Sequence, residues 1–131
     1  MSVHKYNSWG RTRRPKNVAG PDGTEAVTST SDPSAATDGY STENQRYLHL
    51  VFKESQDTSR TIKVFGYFYG AATWVELNAP DYDGSVQALT IVSQNDTTHR
   101  VYEILGVDRV FFQASGTLHA NDALFALCST F

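Results

Sequence analysis

From Gln45 to Phe131 the apolar residues of this chain recur at every second position, and that period decides what it can fold into. In "RYLHLVF" (46–52), Leu48, Leu50 and Phe52 fall on one side, while Tyr47, His49 and Val51 fall on the other. In "RTIKVFGYFY" (60–69), Ile62, Val64 and Phe68 oppose Lys63, Phe65, Tyr67 and Tyr69. "SVQALTIV", "THRVYEIL", "DRVFFQA" and "DALFALCST" repeat the theme. Successive side chains of an extended strand point to opposite faces, so this alternation, rich in β-branched and aromatic residues, predicts strands. Gly/Asn/Asp/Ser/Pro clusters separate them ("KESQDTS", "NAPDYDGS", "SQNDT", "LGVD", "SGTLHAN"), and those residue types turn a chain for specific backbone reasons. No window carries a helical i, i+3, i+4, i+7 stripe. The expected fold is all-β: seven or eight strands in an antiparallel β-sandwich or jelly-roll-like barrel, preceded by an extended N-terminal arm.

The N-terminal part has a different texture. Of the sixteen aromatic residues, only Tyr6, Trp9 and Tyr40 precede Gln45. Residues 1–16 hold five basic side chains and no acid, residues 17–44 five acids and no base, and residues 45–131 six bases and nine acids. These blocks of +5, −5 and −3 sum to the net charge of −3. Segregation of this kind marks a segment that touches something other than plain solvent. The chain therefore divides into a basic arm (1–16), an extended linker (17–44) with one short edge strand at "TEAVTST", and a β-sandwich domain (45–131). The linker lacks Leu, Ile, Phe, Met and Trp, so it buries too little apolar surface to offset its ordering entropy unless it lies along a neighbour.

Within the arm, Tyr6, Trp9, Arg11, Arg13 and Arg14 are the candidate partner-binding residues. Arg makes bidentate contacts to carboxylates, and a Trp is the kind of anchor that dominates interfaces. Nucleic acid is a weaker reading, because the patch is short and the rest of the chain is acidic. In the β domain, some strands are apolar on both faces. Phe111 and Phe112 are adjacent and so point opposite ways, and Phe125 and Leu127 add bulk to a strand that already has an inward set. These four are the candidate subunit-packing residues, and they favour a homo-oligomer, with a trimer expected. A sheet that buries both faces within one chain is the competing reading.

Chemistry is hard to find in the pattern. His4, His49, His99 and His119 stand in no HExxH, HxH or Cys/His zinc spacing, so packed or turn-polar imidazoles are expected and no metal or cofactor is assigned. "DYDGS" (81–85) resembles the front of a calcium loop but lacks the later ligands, so a turn after Pro80 is the simpler reading. No GxSxG or phosphate-binding loop occurs, and no catalytic residues are assigned. Trp74, Tyr67, Tyr69 and Tyr82 are a candidate aromatic platform for a sugar, which makes a carbohydrate-binding module the runner-up. Cys128 is the single cysteine, which excludes an intrachain disulfide and fits a reducing compartment. Met1 is followed by polar and basic residues, and the apolar runs are too short to span a bilayer, so neither a signal peptide nor a membrane partner is expected.

Residues 73–131, with "TWVEL", the "RVYEILGVDRVFFQ" strand pair turning at Gly106 to Arg109, and an apolar closing strand, resemble small virion proteins of tailed bacteriophages. The resemblance implies a β-sandwich or jelly-roll decoration (cement) protein, commonly trimeric, that clamps the major capsid protein of a shell assembled in the host cytoplasm. Tail and head–tail-junction components are the nearest alternatives. It implies no catalytic residue, and it does not extend to the basic arm.

Overall fold

The computed structural model describes residues 16–17, 31–80, 86–88, 91–116, 118–119 and 121–130. The expected all-β class holds: the described residues form antiparallel sheets and no helix. The strands are β1 (Lys16–Asn17), β2 (Tyr40–Ser41), β3 (Tyr47–Lys53), β4 (Arg60–Phe68), β5 (Thr73–Glu76), β6 (Asn78–Pro80), β7 (Val86–Ala88), β8 (Ile91–Ser93), β9 (Thr97–Glu103), β10 (Arg109–Ala114) and β11 (Ala123–Ser129). One sheet runs β1-β11-β3-β9. The second runs β2-β10-β4-β5, and β8 also pairs with β4. A separate ribbon pairs β6 with β7.

The alternation read from the sequence sets which face each strand buries. Leu48, Leu50 and Phe52 of β3 are fully buried, as are Leu124 and Ala126 of β11 in matching register. From the second sheet, Ile62 and Val64 of β4 meet Val110, Phe112 and Ala114 of β10, and Tyr40 of β2 continues the layer. The two inner faces make one hydrophobic cluster, joined by Ile104 and Val107 from the corner between β9 and β10. Gly66 leaves room on the inner face of β4: a Cβ there would come within 2.8 Å of Leu77 and 3.0 Å of Val107, the side chains that close the core at that end.

Three features depart from the sequence-based expectations. First, "RVYEILGVDRVFFQ" is not a paired hairpin. β9 belongs to the first sheet and β10 to the second, so the chain crosses between layers at Gly106, whose φ of +88° makes the corner. The corner is tied down by backbone bonds from Ile104 to Arg46 and from Asp108 to Tyr67, each an N–H donating to a carbonyl. Second, the apolar "SVQALTIV" run divides into β7 and β8 in different sheets. Third, the β body begins before Gln45. Tyr40 is in the core, and Thr42 is fully buried with its hydroxyl donating to the Val107 carbonyl at 2.6 Å. β1 straddles the boundary placed between arm and linker, pairing Lys16 with Ala126 and Asn17 with Phe125. "TEAVTST" and "DYDGS" lie outside the described residues.

Candidate contact surfaces and a buried polar cluster

Each sheet also has an outer face, and the register shows what those faces carry. On the second sheet, Trp74, Tyr67 and Arg109 form one row across β5, β4 and β10, and Glu76, Phe65 and Phe111 form the next. The rings of Tyr67 and Trp74 lie 5.1 Å apart, those of Tyr67 and Tyr69 5.2 Å, and those of Trp74 and Phe111 6.0 Å. The structure thus brings three of the four expected platform aromatics together and adds Phe111. Tyr82 lies outside the described residues.

The chain itself covers much of this face. Arg109 Nε donates to the Asp38 carbonyl at 2.7 Å, and Nη2 donates to the Thr37 and Gly39 carbonyls at 3.1 and 2.7 Å. Trp74 Nε1 donates to the Ala35 carbonyl at 3.0 Å, and the Gln113 amide donates to Asp32 at 2.8 Å. Asp38 folds the segment by accepting from the Ser34 and Ala35 amides at 3.0 and 2.9 Å. Residues 32–39 are therefore a strap, sewn down by anchors that flank Phe111 on the same face of β10. On the same face Tyr67 is only 6% exposed, packed against Trp74 and Tyr69, while Tyr69 stays open at 58%.

The outer face of the first sheet is built differently. Phe125, Val51 and His99 form one row across β11, β3 and β9, and Leu127, His49 and Val101 form the next. Phe125, Leu127, Val51 and His49 are half-buried, and Val101 and His99 are exposed. The His49 and His99 rings stack 6.3 Å apart, and His49 Nε2 is 3.0 Å from the Ser129 hydroxyl. Of the four residues assigned to subunit packing, Phe111, Phe125 and Leu127 do point outward. Phe112 does not: at 2% exposure its ring lies in the intrachain core against Tyr40, centroids 5.9 Å apart, and presents nothing to a neighbour. Tyr6, Trp9, Arg11, Arg13 and Arg14 lie outside the described residues. β1 itself, Lys16–Asn17, is the edge strand of the first sheet, beside β11.

A third constellation sits where β3 ends. The pairing of Lys53 with Ala123 places Glu54 next to Asp122, and the pairing of Lys53 with Thr97 brings the turn at residues 94–96 alongside. The Glu54 side chain is wholly buried. Its Oε2 accepts from the Asn95 and Gln56 amides at 2.6 and 3.0 Å, while Oε1 has no hydrogen-bond partner and faces His119 Nε2 at 3.8 Å. His119 Nε2 is itself buried and unpartnered. Asp122 accepts from the Ser55 amide and hydroxyl at 2.8 and 2.6 Å through Oδ1, and from the His119 amide at 2.8 Å through Oδ2. Burial pushes the Asp122 carboxyl up, but the Ser55 and His119 hydrogen bonds and the His119 imidazole outweigh that and hold it below its ordinary range. His119, read from sequence as a turn imidazole, is thus drawn into a polar interior. Nothing local in the sequence marks Glu54, because only the sheet register links it to His119 and Asp122, 65 and 68 positions away; the His119-x-x-Asp122 spacing is the one local signal.

No protein-family model, curated protein or solved structure matches this chain. Among the described residues, no helix is long and apolar enough to cross a membrane.

Proposed function

We propose that the chain is a non-enzymatic virion structural protein of the capsid decoration (cement) type, which packs against copies of itself and grips the major capsid protein through its basic N-terminal segment. The observation that carries this reading is the coincidence of two contact elements on one sheet. The outer face of β11-β3-β9 bears two largely apolar rows, and the strand at that sheet's edge, β1, directly follows in sequence the segment with Tyr6, Trp9 and four basic side chains. An apolar face supplies area, and a basic, aromatic segment supplies anchors for an acidic protein surface. Repeated weak contacts of this kind add up by avidity, as a clamp on a shell under internal pressure needs. The sugar-binding alternative has less support, because the strap takes the Trp74 indole N–H and flanks Phe111, leaving Tyr69 as the open ring.

The test is immunogold labelling of particle fractions with antibody to the chain, beside the chain truncated by residues 1–16. Labelled shells, lost on truncation while the truncated body stays folded, would support the reading. Labelled tails would move the protein to a tail or head–tail-junction role, and unlabelled particles would overturn it.

A further inference from the structure

We propose that Glu54, His119 and Asp122 form a binding site for one divalent transition-metal ion of the zinc type, which clamps the end of β3 to the loop before β11. One ligand atom from each residue lies within 4.8 Å of the others. Two carboxylates stand against a single imidazole in a site where Asp122 is 4% exposed and the Glu54 side chain not at all. Even with the imidazole charged, one negative charge is left without a counter-charge, and buried charge is costly unless it is paired or bound to metal. A dication with a neutral imidazole closes that balance.

The unpartnered atoms point to the same ligand. Glu54 Oε1 and His119 Nε2 face each other at 3.8 Å, too far for a hydrogen bond and too close for a water to sit between them in line. A zinc ion bonds to such atoms at about 2.0–2.2 Å, and a small closure of the three side chains brings them to that distance. Both carboxylates are already oriented by hydrogen bonds. Glu54 Oε2 is fixed by two backbone amides, and Asp122 is fixed by Ser55 and the His119 amide. Hydrogen-bonded carboxylates are what an outer shell provides at metal sites. The imidazole ligand selects zinc-like ions over magnesium and calcium, which prefer oxygen alone. His119 is the least buried of the three, at 29% of its side chain, but its Nε2 is itself covered, so the ion enters with the same small side-chain movement that closes the site.

The experiment is calorimetric titration of the chelator-treated full chain with Zn²⁺, Mg²⁺ and Ca²⁺, with thermal melts of the same samples. The expected result is one Zn²⁺ per chain, a rise in Tm with Zn²⁺, and neither effect with Mg²⁺ or Ca²⁺. Glu54→Gln keeps an oxygen for the two amides but removes the charged ligand, and His119→Gln removes the imidazole from a partly open position. Each should weaken binding by at least the roughly 10–100-fold that loss of an outer partner costs. His99→Gln is the control, because His49 and His99 stack on the outer face and offer Zn²⁺ a second place to adhere. If Glu54→Gln fails to fold, His119→Gln still decides. Absence of stoichiometric Zn²⁺ binding, or binding lost in His99→Gln and kept in His119→Gln, would overturn the site. So would a metal-free stability loss in His119→Gln with no Zn²⁺ effect on the parent chain, since that is the mark of a plain ion pair.

Discussion

Cys128 shows how one position reports on the whole core. It is on the inner face of β11 at 5% exposure, opposite Leu48 in the register. Burial raises its thiol well above the ordinary value of 9.0, with Glu43 adding to the shift. The neutral thiol is therefore favoured in the folded state. A folded value raised above the unfolded one contributes stability that is fully present below pH 9.0 and is lost as pH rises beyond it, because the unfolded chain then ionises first. Urea unfolding should show stability falling above pH 9.0, by at most about 1.4 kcal/mol per pH unit from this group. Cys128→Ala should flatten that part of the slope, and Tyr102, raised by burial from 10.0, should keep a second decline at higher pH. In native buffer at pH 8 a thiol reagent should not reach Cys128, and in urea it should. Rapid native labelling would show that the inner face of β11 opens, contrary to its burial.

At the scale of elements, the strap is the part whose strength is easiest to measure. Arg109 holds three consecutive carbonyls, and one well-formed hydrogen bond to a charged group contributes about 1.5–3 kcal/mol, less where the group is open to water. Because the guanidinium is partly exposed, Arg109→Ala should cost about 1–2 kcal/mol and speed hydrogen exchange in residues 34–39 while β3 and β11 stay protected. Gly39→Ala should be worse: its φ is +68°, and a Cβ there would run into the Val110 carbonyl oxygen. Unchanged exchange in Arg109→Ala would mean that the strap is held by Trp74 and Gln113 alone. This element also marks the limit of what the sequence shows. β3, whose alternation is pure, could be read residue by residue, since period two is a property of each strand by itself; in β10 the same period sets Phe111 and Phe112 on opposite faces without saying which face is the core. The strap could not. Residues 31–39 have no apolar period, and their partners Arg109, Gln113 and Trp74 are far away in the chain. The same reason hides the crossing at Gly106, which needs knowledge of which sheet each strand joins, and the Glu54 cluster, which exists only through the Lys53–Ala123 register.

For the whole molecule, the question is which outer face remains for other chains. On the outer face of the second sheet the strap engages Trp74, Arg109 and Gln113, whereas the first sheet leaves Phe125–Val51–His99 and Leu127–His49–Val101 across three strands. Sheet edges are guarded separately: on the edge strand β9 the residue paired with Leu50 is the exposed Arg100, and a charged side chain on an edge strand discourages edge-to-edge pairing. Association should therefore proceed through the face and not by adding strands. Light scattering should give the mass of an oligomer, with three copies expected. Val51→Lys, at the centre of the apolar rows, should shift it toward the 14.5 kDa monomer with an unchanged β circular dichroism spectrum. Tyr69→Ser, on the opposite sheet at the open end of the aromatic row, should leave the mass alone. A parent chain that is monomeric at all concentrations would move the apolar rows from self-association to the shell, so that docking and folding of the assembly occur only on the target. An oligomer that survives Val51→Lys but falls to Tyr69→Ser would place the interface on the strapped face instead, and the two sheets would exchange roles.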